Sequence, residues 1–137
     1  MKRVTQDWLL SAEMDLKSME RMLDDEFLAP IVCFHAQQCV EKSLKAILEE
    51  KDVRYPKTHD IIRLYGLVSE LVSLELDLRR LQMLNDMYID ACYPSELGLL
   101  PYGRPTLEDA RQFYQFAAEI YQKVRKLLTE ESNIVNC

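Results

Sequence analysis

The chain has 137 residues, 48% of them hydrophobic and 29% charged, and a formal net charge of −6. This length allows one domain with a single core, and the negative charge argues against a broad electrostatic surface for nucleic acid while allowing a local basic pocket. No segment reaches the roughly 18 uninterrupted apolar residues of a membrane span, and the start lacks the apolar region of a signal peptide.

The first two predicted helices are long and amphipathic. Apolar residues at helical spacing predict one helix from about Thr5 to Leu23. The second begins near Pro30, because proline is favoured in a first helical turn, and runs to about Glu50. Pro56 then disfavours helix at the residue before it. The first helix also carries apolar side chains off its main stripe, which suggests a second buried surface and hence a homodimer.

The next two predicted helices are shorter. Thr58 is a candidate N-cap for the third, with Asp60 favourably placed in its first turn. Ser73 is a candidate cap for the fourth, which extends to about Ala91. The following stretch holds three of the five prolines and two of the three glycines, and it is predicted to be a loop.

Thr106 and Asp109 have the spacing of a capping box and begin the fifth predicted helix, which ends near Thr129. Residues 130–137 are expected to be a frayed tail. Short loops between long helices favour antiparallel neighbours. We therefore expect an all-α, up-and-down antiparallel bundle of four to five helices, forming one domain over 1–137 with its core at about 4–128.

The four cysteines form no C-x-x-C pair and no regular framework. This usage indicates reduced thiols in a cytoplasmic protein, and buried cysteines act as small hydrophobes. With two histidines far apart in the sequence, we expect no metal site and no cofactor. The cysteines are Cys33, Cys39, Cys92 and Cys137.

The second helix has two contrasting faces. At about 100° per residue, one face is apolar and the opposite face is rich in charged and amide groups. The apolar face contains Cys33, Ala36, Val40, Leu44 and Ile47. The polar face contains His35, Gln38, Lys42 and Lys45, with Glu41 at its border. This face is either a ligand-binding row, with lysines to hold phosphate, or a solvated surface with i,i+4 pairs. Gln37 falls near the apolar face, where a buried amide needs a partner.

Further candidates lie after this helix. His59, beside Lys57, is at a helix start where an anion could bind, or it caps and packs locally. Arg54 and His59 fit the pattern R-x4-H, a weak match to the phosphate clamp and acid–base residue of some ribonucleases. Tyr93 could cover a pocket and stack on a base, or pack its loop onto the bundle.

Together these residues resemble the HEPN domain family over about residues 4–128. The fairly specific part is the string A-Q-Q-x-x-E-K-x-L-K-A followed by T-H-D. The matching features are Trp8 with 12–16, then 34–46, 56–61, Tyr88, Tyr93-Pro94 and a closing helix from Ala110. The resemblance implies a helical bundle, usually a dimer, that acts on or with nucleotides or RNA. Small prokaryotic members are often paired with a minimal nucleotidyltransferase, in some cases as toxin and antitoxin, and other members are metal-independent ribonucleases.

One departure from the family weakens the enzymatic interpretation. The catalytic Arg and His of active members lie near the end of the helix that contains Tyr88, where this chain has no histidine. The leading hypothesis is a non-catalytic or weakly catalytic HEPN protein that binds a nucleotide or RNA phosphate and acts with a nucleotidyltransferase partner. The expected ligand-binding residues are Gln38, Glu41, Lys42, Lys45, Lys57, His59 and Tyr93. The alternatives are a metal-independent ribonuclease using Arg54 and His59, and a non-catalytic helical protein-interaction module.

Overall fold

The computed structural model describes residues 1–92 and 104–135, with only the helical backbone given for 89–92 and 131–135. Over these ranges the chain forms five α-helices, one 3-10 turn at Glu26–Leu28 and no strand, which confirms the predicted all-α class. None of the described helices has the length and apolar composition needed to cross a lipid bilayer. The helices are α1 (Arg3–Glu20), α2 (Ala29–Glu50), α3 (Ile61–Ser69), α4 (Leu78–Cys92) and α5 (Leu107–Val135).

Helix α2 is the centre of the bundle and packs against each of the other four helices. It runs antiparallel to α1, since Thr5 near the start of α1 bonds to Glu50 at the end of α2. The predicted apolar face is confirmed, because all five of its residues are at most 1% exposed. Cys33 and Cys39 are among the buried residues, and burial raises the pKa of each thiol to about 12. These two cysteines are therefore packing residues with unreactive thiols.

A compact turn ends α2 and directs the chain back along the bundle. Asp52 has a φ of 57°, in the left-handed region, and the N–H of Val53 donates to the carbonyl of Leu48 at 3.0 Å. The N–H of Asp52 itself donates to Glu49. This is the Schellman arrangement, in which glycine is the usual left-handed residue. Val53 packs onto the core, so the segment 51–60 starts from a fixed point.

The cap of α3 differs from the predicted one. Asp60, not Thr58, is the N-cap, and its carboxylate accepts from the N–H groups of Ile62 and Arg63. Thr58 lies two residues earlier, where its hydroxyl accepts from the N–H of Asp60. Buried Asn85 of α4 bonds to both Asp60 and the N–H of Ile61. The carboxylate is the stronger acceptor at a helix start, and its bonds fix the far end of segment 51–60.

Helix α4 also begins later than predicted. Ser73 does not cap it, since the helix starts at Leu78 and Asp77 accepts from the N–H of Arg80. The residues before it are held in irregular structure by Tyr65, whose hydroxyl donates to the carbonyl of Leu74 and accepts from the N–H of Leu76. These two bonds stabilise the non-helical connection.

Helix α5 confirms the predicted capping box and extends past its predicted end. The N–H of Thr106 donates to Asp109, and the N–H of Asp109 donates to the hydroxyl of Thr106. The expected end near Thr129 is wrong, because the helix continues to Val135. No glycine or proline follows Pro105 to interrupt it.

Candidate functional site

A groove lies between the first turns of α1, the end of α2 and segment 51–60. Its volume is about 750 Å³. We call it the Trp8 groove. Its wall includes two aromatic rings, three cationic side chains and one imidazole, from Trp8, Lys45, Arg54, Tyr55, Lys57 and His59.

Two of the groove's cations are available to an anion. Arg54 and Lys57 are exposed, and neither has an ion pair with any described residue. Glu49 and Asp52, two acidic groups of the wall, have other partners: Glu49 accepts from the Tyr55 hydroxyl at 2.7 Å, and Asp52 pairs with Lys2. Burial and this bond to Glu49 raise the pKa of Tyr55 to about 12, so its hydroxyl remains a donor.

The third cation, Lys45, is already paired. Its Nζ lies 3.0 Å from Oε2 of Glu41, and the two side chains are only 9% and 4% exposed. The same Nζ lies 5.3 Å from the Trp8 ring centroid and 6.0 Å from that of Tyr55, within cation–π range. Lys45 therefore joins the two aromatic rings to the core of α2 and contributes little free charge to the groove.

His59 connects the groove to buried polar groups of α2. Its Nδ1 lies 2.8 Å from Oε1 of Glu41, while the side chain is 64% exposed. Fully buried Gln37 donates to the backbone carbonyl of His59 at 2.5 Å and to Glu41 at 3.4 Å. Gln38 in turn donates to the carbonyl of the Gln37 amide at 2.8 Å. The partner that Gln37 was predicted to need is thus the backbone of His59, near the end of segment 51–60.

The rest of the polar face of α2 forms a second cluster beside α1. Asp15 is 8% exposed at its side chain and accepts from Lys42 Nζ at 2.9 Å. Its other oxygen lies 2.8 Å from Nδ1 of His35. Among the described residues the polar face is therefore divided between two carboxylates, Asp15 and Glu41, rather than presented as one continuous row.

The structure brings together some of the sequence-predicted site residues and separates others. Lys45, Lys57 and His59 line the Trp8 groove together with Arg54. Glu41 lies behind His59, and Gln38 reaches the groove only through Gln37. Lys42 belongs to the Asp15 cluster. Tyr93 lies outside the described residues.

Sequence reasoning missed two groove residues and one buried anion. Neither Trp8 nor Tyr55 was among the expected ligand-binding residues, yet both rings lie within cation–π range of Lys45. Asp15 was not predicted to be the partner of Lys42 and His35. The available signal was charge balance, because lysines on a helix that is buried among four others need carboxylate partners. Within the described ranges no three His, Cys, Asp or Glu side chains are placed to share a metal ion.

Comparisons with known proteins agree with this architecture. The structure is similar to the crystal structure of TT1696 from Thermus thermophilus, with a TM-score of 0.76 and 28% identity over 92% of this chain and 98% of that chain. It is also similar to ST0689, an archaeal HEPN homologue, with a TM-score of 0.70 and 29% identity over 93% of this chain and 98% of that one. No curated protein matches the sequence. The family model described as "HEPN domain" matches residues 5–127. The chain therefore belongs to the HEPN domain family.

Proposed function

We propose that this HEPN domain binds a nucleotide or an RNA phosphate in the Trp8 groove. The observation that carries the proposal is the convergence of Arg54, Lys57 and His59 with two aromatic rings in one groove. The family is linked to nucleotide and RNA binding, and this groove offers both kinds of contact that a nucleotide needs.

The chemistry of the groove matches the two parts of a nucleotide. A guanidinium can bind two phosphate oxygens at once, and an ammonium acts as a mobile point charge. Trp8 and Tyr55 offer aromatic surface for a base, and stacking on such rings tolerates any base. The overall charge of −6 restricts attraction of phosphate to this local positive surface. The proposal therefore predicts a small ligand or a short RNA segment rather than a long duplex.

Fluorescence titration tests the proposal directly, because Trp8 is the only tryptophan of the chain. Adding ADP or a short single-stranded RNA is expected to change Trp8 emission in a saturable way. Arg54→Ala and Lys57→Ala should each weaken binding about tenfold, which corresponds to about 1.4 kcal/mol. Lys123→Ala, an exposed lysine of α5, is the matched control and should bind normally. Unchanged emission at millimolar nucleotide and RNA would contradict the proposal.

We further propose that the protein acts together with a nucleotidyltransferase, in a two-component pair of the toxin–antitoxin type. In this proposal the HEPN protein is a cytoplasmic homodimer. The support for this proposal is family membership alone. Co-expression with the product of the adjacent gene and purification through a tag on the HEPN protein tests it. A co-purifying nucleotidyltransferase is the expected result, and a neighbourhood without such a gene would refute the pairing. Light scattering that gives a monomer mass would refute the dimer.

Ribonuclease activity is the second candidate, favoured by one specific observation. Arg54 and His59 line the same groove, and His59 rests on a buried carboxylate, as an acid–base histidine often does. This candidate predicts cleavage of RNA in the presence of EDTA and its loss in both His59→Ala and Arg54→Ala. RNA that stays intact with micromolar protein, or cleavage that persists in His59→Ala, would exclude these residues as the catalysts.

A further inference from the structure

Only one ring nitrogen of His59 is engaged by the buried polar groups of α2. Its Nδ1 lies against the Glu41 carboxylate at 2.8 Å, and Glu41 also accepts from Lys45 and Gln37. An ionised carboxylate only accepts hydrogen bonds, so Nδ1 carries the hydrogen. In a neutral imidazole the other nitrogen, Nε2, then has a lone pair and is an acceptor.

The ring cannot exchange its two nitrogens without losing this bond. A half-turn about the Cβ–Cγ bond would place a carbon atom against the buried carboxylate of Glu41 and remove one of its donors. The ring also contacts Tyr88 with centroids 5.6 Å apart, and the backbone of His59 is bonded to Gln37. These contacts from α2 and α4 hold the ring in one orientation.

Nε2 is thus an acceptor in the groove that Arg54 and Lys57 also line, two cations that form no ion pair with any residue of the described ranges. No described residue bonds to Nε2. A phosphate bound to the cations has little to donate to it at neutral pH, whereas a ribose hydroxyl is a donor next to a phosphate. The 2′-hydroxyl is also the group by which a protein distinguishes RNA from DNA.

We propose that the Trp8 groove selects ribonucleotides over 2′-deoxyribonucleotides through Nε2 of His59. Glu41 is the positioning residue that makes this nitrogen an acceptor, and Lys45 is the counter-ion of Glu41. This proposal rests on the proposed nucleotide-binding function and adds recognition of the ribose 2′-hydroxyl to it.

The first test needs no ligand and measures the tautomer of His59. Proton–nitrogen correlation spectra of the ¹⁵N-labelled protein at pH 8, assigned with His59→Leu, are expected to show the hydrogen on Nδ1. In the double variant Glu41→Leu with Lys45→Met, which removes the buried pair together, the hydrogen should move to Nε2, as in free imidazole side chains. An Nε2-protonated ring in the wild-type protein would overturn the proposal, because Nε2 would then be a donor.

The second test measures selectivity by calorimetry at pH 8 with ADP and 2′-deoxy-ADP. One hydrogen bond of about 0.5–1.5 kcal/mol predicts that the wild-type protein binds ADP about two- to tenfold more tightly. The ratio should fall to about one in His59→Leu and in the double variant, while both ligands still bind through the cations. Lys123→Ala is the matched control and should keep the wild-type ratio.

The outcomes separate this proposal from the one on which it rests. Binding of both ligands with equal affinity, weakened for both by Arg54→Ala, would refute sugar selectivity and leave nucleotide binding intact. A wild-type preference that persists in His59→Leu would refute the role of His59. Binding of neither ligand would remove both proposals together.

Discussion

Replacing Glu41 alone should destabilise the protein far more than replacing Glu41 and Lys45 together. Glu41→Leu leaves the ammonium of Lys45, whose side chain is 9% exposed, without its carboxylate. It also removes the acceptor for His59 and Gln37. Breaking a buried ion pair from one side costs about 3–5 kcal/mol. With Lys45→Met added, the pair is replaced by apolar side chains of similar size, and most of that loss should be recovered.

Thermal unfolding followed by circular dichroism measures the effect. An unfolding entropy of about 2.1 cal/mol/K per residue gives about 0.29 kcal/mol/K for 137 residues. A loss of 3–5 kcal/mol then lowers Tm by about 10–17 °C in the single variant. Lys57→Met, an exposed groove lysine, is the control and should change stability by less than about 0.5 kcal/mol.

Two results would refute this reasoning. If Glu41→Leu lowers the free energy of unfolding by less than about 1 kcal/mol, then Lys45 reaches water by a small rearrangement and the ion pair is not buried in solution. If the double variant is as unstable as the single one, the loss comes from the His59 and Gln37 bonds and not from the stranded charge. Urea unfolding at pH 7 and 25 °C gives the free energies needed to distinguish these outcomes.

Three further predictions concern other parts of the fold. Asp52→Gly should raise the free energy of unfolding by about 0.5–1 kcal/mol in urea titrations, because glycine adopts its left-handed conformation without strain; a loss of stability would show that the pair with Lys2 matters more. The pKa of Glu50 is affected most by burial, which raises it, but bonds from the N–H of Lys2 and the hydroxyl of Thr5 make it lower than usual overall. The bonds of ionised Glu50 therefore stabilise the fold at pH values above 4.5, the ordinary pKa of this carboxyl group. This stabilisation is lost as the pH falls through the lowered pKa, so the difference in the free energy of unfolding between wild type and Glu50→Gln should shrink in acid unfolding scans. Finally, Cys39 should not react with a thiol reagent at pH 8 until the protein unfolds, and labelling of the native protein at this residue would contradict its burial.

The helices were predictable because they depend on local pattern. The apolar periodicity of α2, the capping box of Thr106 and Asp109, and the need of Gln37 for a partner were all visible in the sequence, and the structure confirms them. The predicted caps of α3 and α4 were wrong, because several polar residues that can cap a helix precede each of them. Which one caps depends on tertiary contacts such as those of Asn85 and Tyr65.

The site was only partly predictable, because a helical projection shows on which face of a helix a side chain lies but not how deeply it is buried or which partner it contacts. It placed Lys42 and Lys45 on one side of α2, but Lys42 bonds to Asp15 and Lys45 to Glu41, at different carboxylates. Helix α2 is covered by four other helices, so its charged side chains had to find partners inside the bundle. The contribution of Trp8 depends on the packing of α1 against the end of α2, which no local pattern encodes.

The network around Glu41 has a consequence for how the molecule folds. Glu41 and Lys45 lose their hydration only when His59 and Gln37 are in place, and Gln37 is bonded to the backbone of that same histidine. The connection between α2 and α3 must therefore dock in the same step in which the core excludes water. A surface segment linked in this way to the central helix opens only with global unfolding, so the hydrogen-bonded amide proton of Val53 should exchange as slowly as those of the core.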